Sequence, residues 1–405
     1  MPAAILQRSH VRKGILTLGL LSLFSALFVS PALAADRTLA SYGALCNGSA
    51  DDTAELRAAF ADAGTKWTNL VFPANGTCRI TGKINVENKS GFRVTGQNAT
   101  IKAANGMKVD TGWYLLSFIG SSSFQVYDLT VDGNRANRAA RVAAAHNIVL
   151  ADTHDFLLQN VHANNSVTDG FEIRGRSQAE TSTAHYSTDG DLINCGASNN
   201  YRVGMHIQNA ARVNINGGSF SNSNGHWPQA GIDVEPNPGS ASPAIYDIVI
   251  TGAQFTGNNG YGLQLSSKYA TQRITVEKSY FSDNARGGVK VGSRYATVRN
   301  NLFELFIRNT GISCPDTYCF RSVIELPSGA LGNSMIEANS LIDARPYSSG
   351  IFVHKAGASG TTIRNNCLEN VLPLAIVNGG NKASLSGNQV NPSGGCPLPS
   401  EVPLP

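Results

Sequence analysis

Acidic, basic and amide residues recur at one position of a short strand that is repeated along the chain. In each repeat the polar residue has an apolar residue on either side, as in segments 171–173 and 232–234. The central residues are Glu172, His206, Asp233, Gln264, Lys290 and Glu325. Four more polar residues follow two positions later: Arg174, Gln208, Glu235 and Ser266. Because residues two apart on a strand face the same way, we predict two adjacent columns of functional groups on one exposed sheet face.

Paired carboxylates in these columns predict glycoside hydrolysis. Asp233 and Glu235 would lie about 7 Å apart on one strand, and inverting glycosidases hold their two carboxyl groups roughly 6.5–9.5 Å apart. Such closeness raises the pKa of one carboxyl group, as an acid catalyst requires. We therefore predict Asp233 and Glu235 as the leading acid and base, with Glu172 as a third carboxylate. His206 and Lys290 are predicted to orient groups or to stabilise charge.

Two other functions would use the same columns. β-Elimination from a uronic acid polymer needs a base for the C5 proton and a cation for the sugar carboxylate. His206, Lys290, Lys268 or a tyrosine is the candidate base, and Arg174 or Arg202 is the candidate cation. A uronan epimerase would need the same groups. A non-catalytic glycan-binding solenoid or adhesin would use the groove without needing the acids.

Long segments and aromatic residues flank the columns and predict the walls of a polysaccharide-binding groove. Residues 175–191 follow the first strand, and residues 236–244, rich in Pro, Gly and Ser, follow the third. Aromatic rings stack on the apolar faces of sugars. The predicted substrate contacts are Arg174, Gln208, His226, Trp227, Tyr261, Gln264 and Lys268.

These strands belong to a repeat that is typical of a β-solenoid. Glycine begins the strand in successive repeats at positions 170, 204, 231, 262 and 288, which are 26 to 34 residues apart. Coils of a solenoid stack at the strand spacing of about 4.8 Å, and outward loops absorb differences in length. Phenylalanine should form an inner stack at Phe220, Phe255 and Phe281. Asparagine should form a turn ladder at Asn222, Asn258 and Asn284.

The N-terminal residues predict export. Three basic residues, Arg8, Arg12 and Lys13, precede an apolar run at 15–29, and a small-residue cleavage pattern follows at 32–34. This arrangement is typical of a secretory signal peptide, which we assign to residues 1–34. The protein is therefore predicted to be secreted or periplasmic and not inserted in a membrane.

Charge and cysteine content bear on partners and cofactors. The chain has 32 Lys+Arg and 28 Asp+Glu, and three of the basic residues lie in the signal peptide. A near-neutral protein without a clustered basic patch is not expected to bind nucleic acid. Of seven cysteines, Cys195 is predicted to stay a buried thiol, and the others to pair as Cys46–Cys78, Cys314–Cys319 and Cys367–Cys396. No zinc-type spacing and no tight acidic cluster occurs, so we predict no metal or other cofactor.

The region around residue 50 resembles the entry motif of pectate lyase-like β-helix proteins. Residues 41–53 read Ser-Tyr-Gly-Ala-Leu-Cys-Asn-Gly-Ser-Ala-Asp-Asp-Thr, and Val-Phe-Pro follows at 71–73. Leu-Thr-Val-Asp-Gly-Asn at 129–134 is similar to another recurrent piece of that superfamily. The chain departs from the motif at 45–47, where Lys-Gly-Asp is commoner. The resemblance implies an all-β fold, a right-handed single-stranded parallel β-helix with a short N-terminal capping α-helix.

That helix should occupy residues 54–63, because Leu56, Ala59 and Phe60 then share one side and Asp52 or Thr53 can serve as the N-cap. A helix at this place would cover the open edge of the first coil. We predict an N-terminal segment with this helix at 35–79, a β-helix at 80–390 and a Pro-rich tail at 391–405.

The resemblance implies a fold more specifically than a reaction. The superfamily includes pectin and alginate lyases, polygalacturonases, iota-carrageenases, uronan epimerases and phage tailspikes. The pair Asp233 and Glu235 is similar to the iota-carrageenase arrangement, whereas polygalacturonase motifs and the Asp-Pro-His signature of alginate epimerases do not occur in the repeat region. We therefore expect a secreted enzyme that cleaves a polysaccharide, with hydrolysis ahead of β-elimination.

Overall fold

Three parallel sheets wind around a common apolar interior in the computed structural model. The structure describes residues 36–108, 113–138, 145–177, 182–236, 244–267, 271–305, 321–343, 348–371 and 375–404. Within these ranges each strand pairs in parallel with the equivalent strand of a neighbouring coil. The all-β solenoid predicted from the repeat is therefore confirmed.

The strands fall into three sets. The first sheet contains Arg37–Thr38, Asn47–Asp51, Asn69–Val71, Thr77–Ile80, Ser90–Ala103, Ser122–Asp132, His154–Gln159, His162–Asn164, Ser187–Ile193, Ala210–Asn216, Ile245–Thr251, Gln272–Glu277, Thr297–Arg299, Met335–Glu337, Thr361–Arg364 and Ala383–Ser386. The second sheet contains Ile84–Glu87, Trp113–Ile119, Ala145–Ala151, Phe171–Arg174, Met205–Ile207, Ile232–Val234, Tyr261–Leu265, Gly287–Val291, Arg321–Leu326, Ser348–Val353 and Ile376–Asn378. The third sheet contains Ala197–Ser198, Ser219–Ser221, Gln254–Thr256, Tyr280–Ser282, Leu302–Leu305, Ser340–Asp343, Cys367–Glu369 and Gln389–Val390.

One α-helix, Thr53–Ala61, and four short 3-10 helices complete the secondary structure of the described residues. The 3-10 helices are Leu39–Tyr42, Arg135–Asn137, Thr183–His185 and Gly379–Asn381. The α-helix buries Leu56, Ala59 and Phe60, as its sequence pattern predicts. It packs against Ile84–Glu87, the terminal strand of the second sheet. No helix of the described ranges is long and apolar enough to cross a membrane.

The N-cap of the helix is Asp52, one of the two residues predicted for this position. Its side chain, however, makes no capping hydrogen bond. Asp52 Oδ1 instead accepts from the backbone N–H groups of Leu45 and Cys46, at 2.7 and 3.2 Å. The carboxylate of Asp51 accepts from the N–H of Thr53 at 3.1 Å. Asp52 therefore ties the preceding loop to the helix start.

Phenylalanine rings stack inside the coil as predicted. Phe220, Phe255 and Phe281 lie on successive strands of the third sheet, with ring centroids 5.7 and 4.6 Å apart. Phe303 extends the stack by another 4.6 Å. All four rings are fully buried. Stacking at one position per coil therefore fixes the register of the third sheet.

Replacing a ring in this stack should destabilise the protein. We expect Phe281→Ala to lower the free energy of unfolding by about 3–5 kcal/mol, because the ring is enclosed by its neighbours and leaves a cavity. Urea unfolding measures the loss. Phe352→Ala is the control, since that ring is half-buried and should cost less. Equal losses for the two variants would contradict an enclosed stack.

The asparagine ladder is confirmed for two of the three predicted residues. Asn258 Nδ2 donates to Asn284 Oδ1 at 2.8 Å, so the side chains bond from coil to coil. Asn222 was assigned to this ladder wrongly, because Ser223 occupies the equivalent position and donates its N–H to Asn258 Oδ1. Asn222 instead has a positive φ of 57°, a left-handed conformation that asparagine tolerates in turns.

Two predicted disulfide bonds are present, Cys46–Cys78 and Cys367–Cys396. Cys195 is a buried free thiol, as predicted. The predicted pair Cys314–Cys319 lies outside the described residues. Disulfide bonds are typical of proteins that fold in an oxidising compartment.

Candidate functional site

The second sheet aligns the predicted central residues in one column. Glu172 pairs with His206, and His206 with Asp233. The column continues through Gln264 and Lys290, and Lys290 pairs in turn with Glu325. The flanking apolar residues belong to the interior core, so the column faces away from the interior. The predicted alignment of these residues on one face is therefore confirmed.

The exposure of this column differs from the prediction. Glu172 and Asp233 are 0% exposed, His206 is 5% and Gln264 is 8% exposed. The prediction of an exposed stripe is therefore wrong at this end of the column. Charged groups removed from water must find partners inside the protein, and those partners define the site.

Glu172 is the acceptor of a local network. It accepts from Arg174 Nε and Gln208 Nε2, each at 3.0 Å. Nε2 of His146 lies 3.4 Å from the same carboxylate. Arg174 also donates to the Tyr114 hydroxyl at 2.8 Å. Glu172 is thus held by a cation, an amide and an imidazole, and its contacts position the residues around it.

Arg202 joins two other buried carboxylates. Its Nη1 lies 2.8 Å from Asp169 Oδ2, and its Nη2 lies 3.7 Å from Asp233 Oδ2. His146 Nδ1 lies 3.1 Å from Asp169 on the opposite side. The Arg202 side chain is 21% exposed, whereas both carboxylates are fully buried. Arg202 is therefore more exposed to solvent than the two carboxylates that it joins.

The two carboxyl oxygens of Asp233 differ in their hydrogen bonds. Its Oδ1 accepts from Gln264 Nε2 at 3.0 Å. Among the described residues, no group donates a hydrogen bond to the buried Oδ2 atom. Burial raises the pKa of Asp233 to about 7, with the negative charge of Glu235 adding to the rise and Arg202 opposing it. Asp233 is therefore a mixture of the acid and the carboxylate at neutral pH.

The histidines and Asp169 have different charge states. Burial and the neighbouring Arg202 cation lower the pKa of His206 to about 3, so its imidazole is neutral at pH 7. Burial also opposes the charged form of His146, but Glu172 and Asp169 outweigh that effect and raise its pKa. Burial disfavours ionised Asp169, yet Arg202 and His146 overcome it and hold its pKa well below the usual range. Arg202 therefore lies beside the neutral imidazole of His206, the ionised carboxylate of Asp169 and the carboxyl group of Asp233, which titrates near neutral pH.

The other predicted catalytic residues lie at the borders of this cluster. Glu235, at the end of the Asp233 strand, is half-buried, and so are Lys290 and Glu325. The Tyr261 hydroxyl donates to Glu325, and Tyr261 is buried, so its ring presents no open face to a sugar. The prediction of Tyr261 as a stacking platform is wrong for this reason.

The remaining predicted substrate contacts separate into buried and exposed groups. Arg174, Gln208 and Gln264 are buried within the network. His226 is exposed, and Trp227 is 44% exposed, in the turn before Ile232–Val234. Lys268 lies outside the described residues, as do parts of both predicted wall segments. Substrate contact by these residues stays a prediction.

Reading only the strand centres missed His146, Asp169 and Tyr114. Asp169 immediately precedes the glycine that begins the Glu172 strand. Phe171 pairs with Ile148, so the same offset of 23 residues places position 169 beside 146. Tyr114 pairs with His146 in the neighbouring strand, and their rings stack at 6.1 Å. Extending the coil alignment three residues before each strand centre would have found the His146–Asp169 pair.

Potential metal-ligand atoms come together at one place among the described residues. One group of three potential ligand atoms lies within 4.8 Å, from Cys46, Asp52 and Cys78. Both sulfurs of that group are consumed by a disulfide bond. The expectation of no metal or other cofactor stays a prediction.

Comparison with known proteins places these observations in a family. Residues 114–303 and 246–390 match the family model described as "Right handed beta helix region". The mannuronan C5-epimerase AlgE1 of Azotobacter vinelandii is 28% identical over 258 residues, which are 57% of this chain and 18% of that protein. The chain thus spans less than a fifth of the length of this curated relative.

Solved structures share the fold at lower identity. The A-module of the A. vinelandii mannuronan C5-epimerase AlgE6 has a TM-score of 0.51 at 18% identity, covering 88% of this chain and 100% of that one. The surface adhesin PfbA of Streptococcus pneumoniae also has a TM-score of 0.51, at 15% identity, covering 84% and 91%. At these identities the two structures establish the fold alone.

Proposed function

Because this chain belongs to the right-handed β-helix family, we propose that it modifies an acidic polysaccharide at the polar cluster of its second sheet. The proposed substrate is a polymer of uronic acid, and the proposed chemistry begins at its C5 proton. The observation that carries the proposal is Asp233, a buried carboxyl group with a pKa of about 7 and an oxygen free of donors among the described residues.

Asp233 and Arg202 are suited to neutralise a sugar carboxylate. In its protonated form Asp233 can donate a hydrogen bond to that group, and Arg202 supplies a permanent positive charge beside it. Withdrawing charge from the carboxylate lowers the barrier to removal of the neighbouring C5 proton. The partial exposure of Arg202 gives the substrate carboxylate a first contact at the surface of the cluster.

His206 is the proposed acceptor of the C5 proton. It occupies the position next to Asp233 in the column, and its lowered pKa keeps the imidazole unprotonated at neutral pH. Gln208 Nε2 and Arg202 Nη1 lie 3.0 and 3.3 Å from Nδ1, and both are donors, so Nδ1 is the unprotonated nitrogen. Nδ1 would take up the C5 proton in place of the contact with Arg202, once that guanidinium pairs with the sugar carboxylate. The base and the carboxylate-neutralising groups therefore come from adjacent coils.

The epimerase relative supports a uronic acid substrate, since its name gives mannuronan as the polymer on which it acts. Removal of the C5 proton is common to epimerisation and β-elimination, and the two differ in the following step. This chain has no Asp-Pro-His sequence, so we propose the shared first step rather than one product. Two disulfide bonds and the N-terminal sequence pattern support activity outside the cytoplasm.

Hydrolysis is the second candidate, and one observation favours it. Asp233 titrates near neutral pH, as a general acid must, and Glu235 on the same strand contributes to that raised pKa. The sequence alone favours hydrolysis over β-elimination. The Arg202 contacts of both buried carboxylates support C5 chemistry ahead of hydrolysis in this proposal, because cleavage by paired carboxylates has no need of that cation.

Incubation with mannuronan tests the proposal. We expect either the ultraviolet absorbance of an unsaturated uronate or a change in C5 configuration measured by NMR. New reducing ends without either signal would show hydrolysis and overturn the C5 proposal. A neutral glucan is the control substrate and should give no product. Binding of mannuronan without any product would identify a non-catalytic glycan-binding protein.

A further inference from the structure

Four arginines on the first sheet follow one pairing rule. Each lies within 2.7 Å of an acidic side chain from the preceding coil. The pairs are Arg212–Asp189, Arg273–Asp247, Arg299–Glu277 and Arg364–Glu337. These guanidinium charges are therefore compensated within the protein.

Two arginines near the second sheet depart from this rule. The Arg286 guanidinium lies 4.0 Å from the centroid of the Trp227 ring, and that of Arg135 lies 5.1 Å from the Tyr201 ring. Within the described ranges, neither arginine has a carboxylate oxygen within 4.0 Å. Cation–π contact holds a guanidinium in place without neutralising its charge. Both arginines thus keep a positive charge available to a ligand.

These side chains form one row across several coils. Arg135 donates to the Asn199 carbonyl at 3.1 Å and to Asn224 Oδ1 at 2.8 Å, so it reaches over turns far from it in sequence. The Tyr201 and His226 rings stack with centroids 6.5 Å apart and planes 8° from parallel. We call the row of Arg135, Tyr201, His226, Trp227 and Arg286 the cation–aromatic rim.

We propose that the cation–aromatic rim binds a stretch of acidic polysaccharide outside the reacting cluster. Guanidinium groups would pair with sugar carboxylates, and the exposed indole of Trp227 would pack against a sugar ring. Tyr201 directly precedes Arg202, and His226 lies in the turn before the Asp233 strand. The rim therefore borders the cluster and sets affinity and charge preference. This inference rests on the proposed function for the identity of the polymer.

Direct binding measurements test the rim without requiring turnover. The probe is mannuronan, and binding is measured by affinity electrophoresis and calorimetry at low and high salt. We expect Arg286→Gln to weaken binding about fivefold, and Arg135→Gln with Arg286→Gln to weaken it roughly thirtyfold, because each lost ion contact is worth about 1 kcal/mol. Added salt should reduce the difference between variants. If product forms, KM should rise while kcat stays within about twofold.

Arg273→Gln is the matched control. Arg273 also lies over an aromatic ring, that of Tyr246 at 5.4 Å, but it is already paired with Asp247. Its replacement should change mannuronan binding by less than about twofold. Circular dichroism melting checks that all variants are folded.

Several results would overturn the proposal that the cation–aromatic rim binds acidic polysaccharide. These are unchanged binding by the double variant, an equal loss in Arg273→Gln, or equal affinity for a neutral glucan. Equal affinity for polyglutamate or DNA would show a general polyanion surface and also overturn it. The two proposals can fail separately. Binding of mannuronan that depends on the rim arginines, without any product, would support the rim and refute the proposed reaction. Product formation with an unchanged KM in the rim variants would support the proposed reaction and refute substrate binding by the rim.

Discussion

Replacing Asp233 with asparagine should lower turnover of mannuronan about a thousandfold while leaving binding within a few fold. Asparagine keeps the size of the side chain and the contact with Gln264, but its amide is a weaker hydrogen-bond donor than a carboxylic acid and cannot give the sugar carboxylate a proton as charge builds up at C5. Acid–base catalysis by a positioned side chain contributes on the order of 10²–10⁴ in rate. Turnover is measured from initial rates, and binding from calorimetry with the same polymer. Asp247→Asn is the control, because Asp247 lies on the first sheet in an exposed ion pair with Arg273.

The pH dependence should report the same residue. Asp233 acts in its protonated form, and its pKa is about 7, so turnover should fall as the pH rises through that value. This limb of the profile should be missing from the residual activity of Asp233→Asn. Turnover that instead increases over the same range would mean that the ionised carboxylate is the active form, contrary to the proposed role.

Asp169→Asn should destabilise the protein by about 3–5 kcal/mol at neutral pH, the cost of breaking a buried ion pair. Asp169 is fully buried between Arg202 and His146, and the asparagine amide would remove the nearest negative partner of each. Denaturant unfolding followed by circular dichroism measures the change. Asp189→Asn is the control, since Asp189 forms an exposed pair with Arg212 and should cost less than about 1 kcal/mol.

The effect of Asp169→Asn should depend on pH in a defined direction. The folded pKa of Asp169 is lowered, so its stabilising contribution is present above the unfolded pKa of about 3.9 and is lost as the pH falls through the folded value. The difference between Asp169→Asn and the wild type should therefore be full at pH 7 and shrink below about pH 4. A difference that grows on acidification would refute an ionised Asp169.

The register of the column could be predicted from sequence because two local signals agree in each coil. A glycine precedes the strand, and apolar residues flank its polar centre, as at Glu172 and Asp233. A shift by one residue would turn the apolar side chains outward, so the pattern fixes which residues point away from the interior. The same reasoning located Phe255 and Phe281 in the core.

Burial of the column could not be predicted in the same way. Whether Glu172 faces water depends on His146 and Tyr114, which lie on neighbouring strands 26 or more residues earlier in the chain. The charge states follow from those contacts, since the pKa of Asp233 reflects removal from water more than the charge of Glu235. Strand periodicity carries no information about what covers a strand.

The column of strand centres takes one residue from each coil, and this has a consequence for how such proteins diverge. Deleting or duplicating a whole coil between Glu172 and Lys290 would remove or add one member of the column and keep the stacking of the others. Arg135 limits this freedom, because its contacts with Asn199 and Asn224 span a fixed number of turns. Homologues that differ in coil number should therefore retain the spacing from Arg135 to Asn224 and vary beyond it.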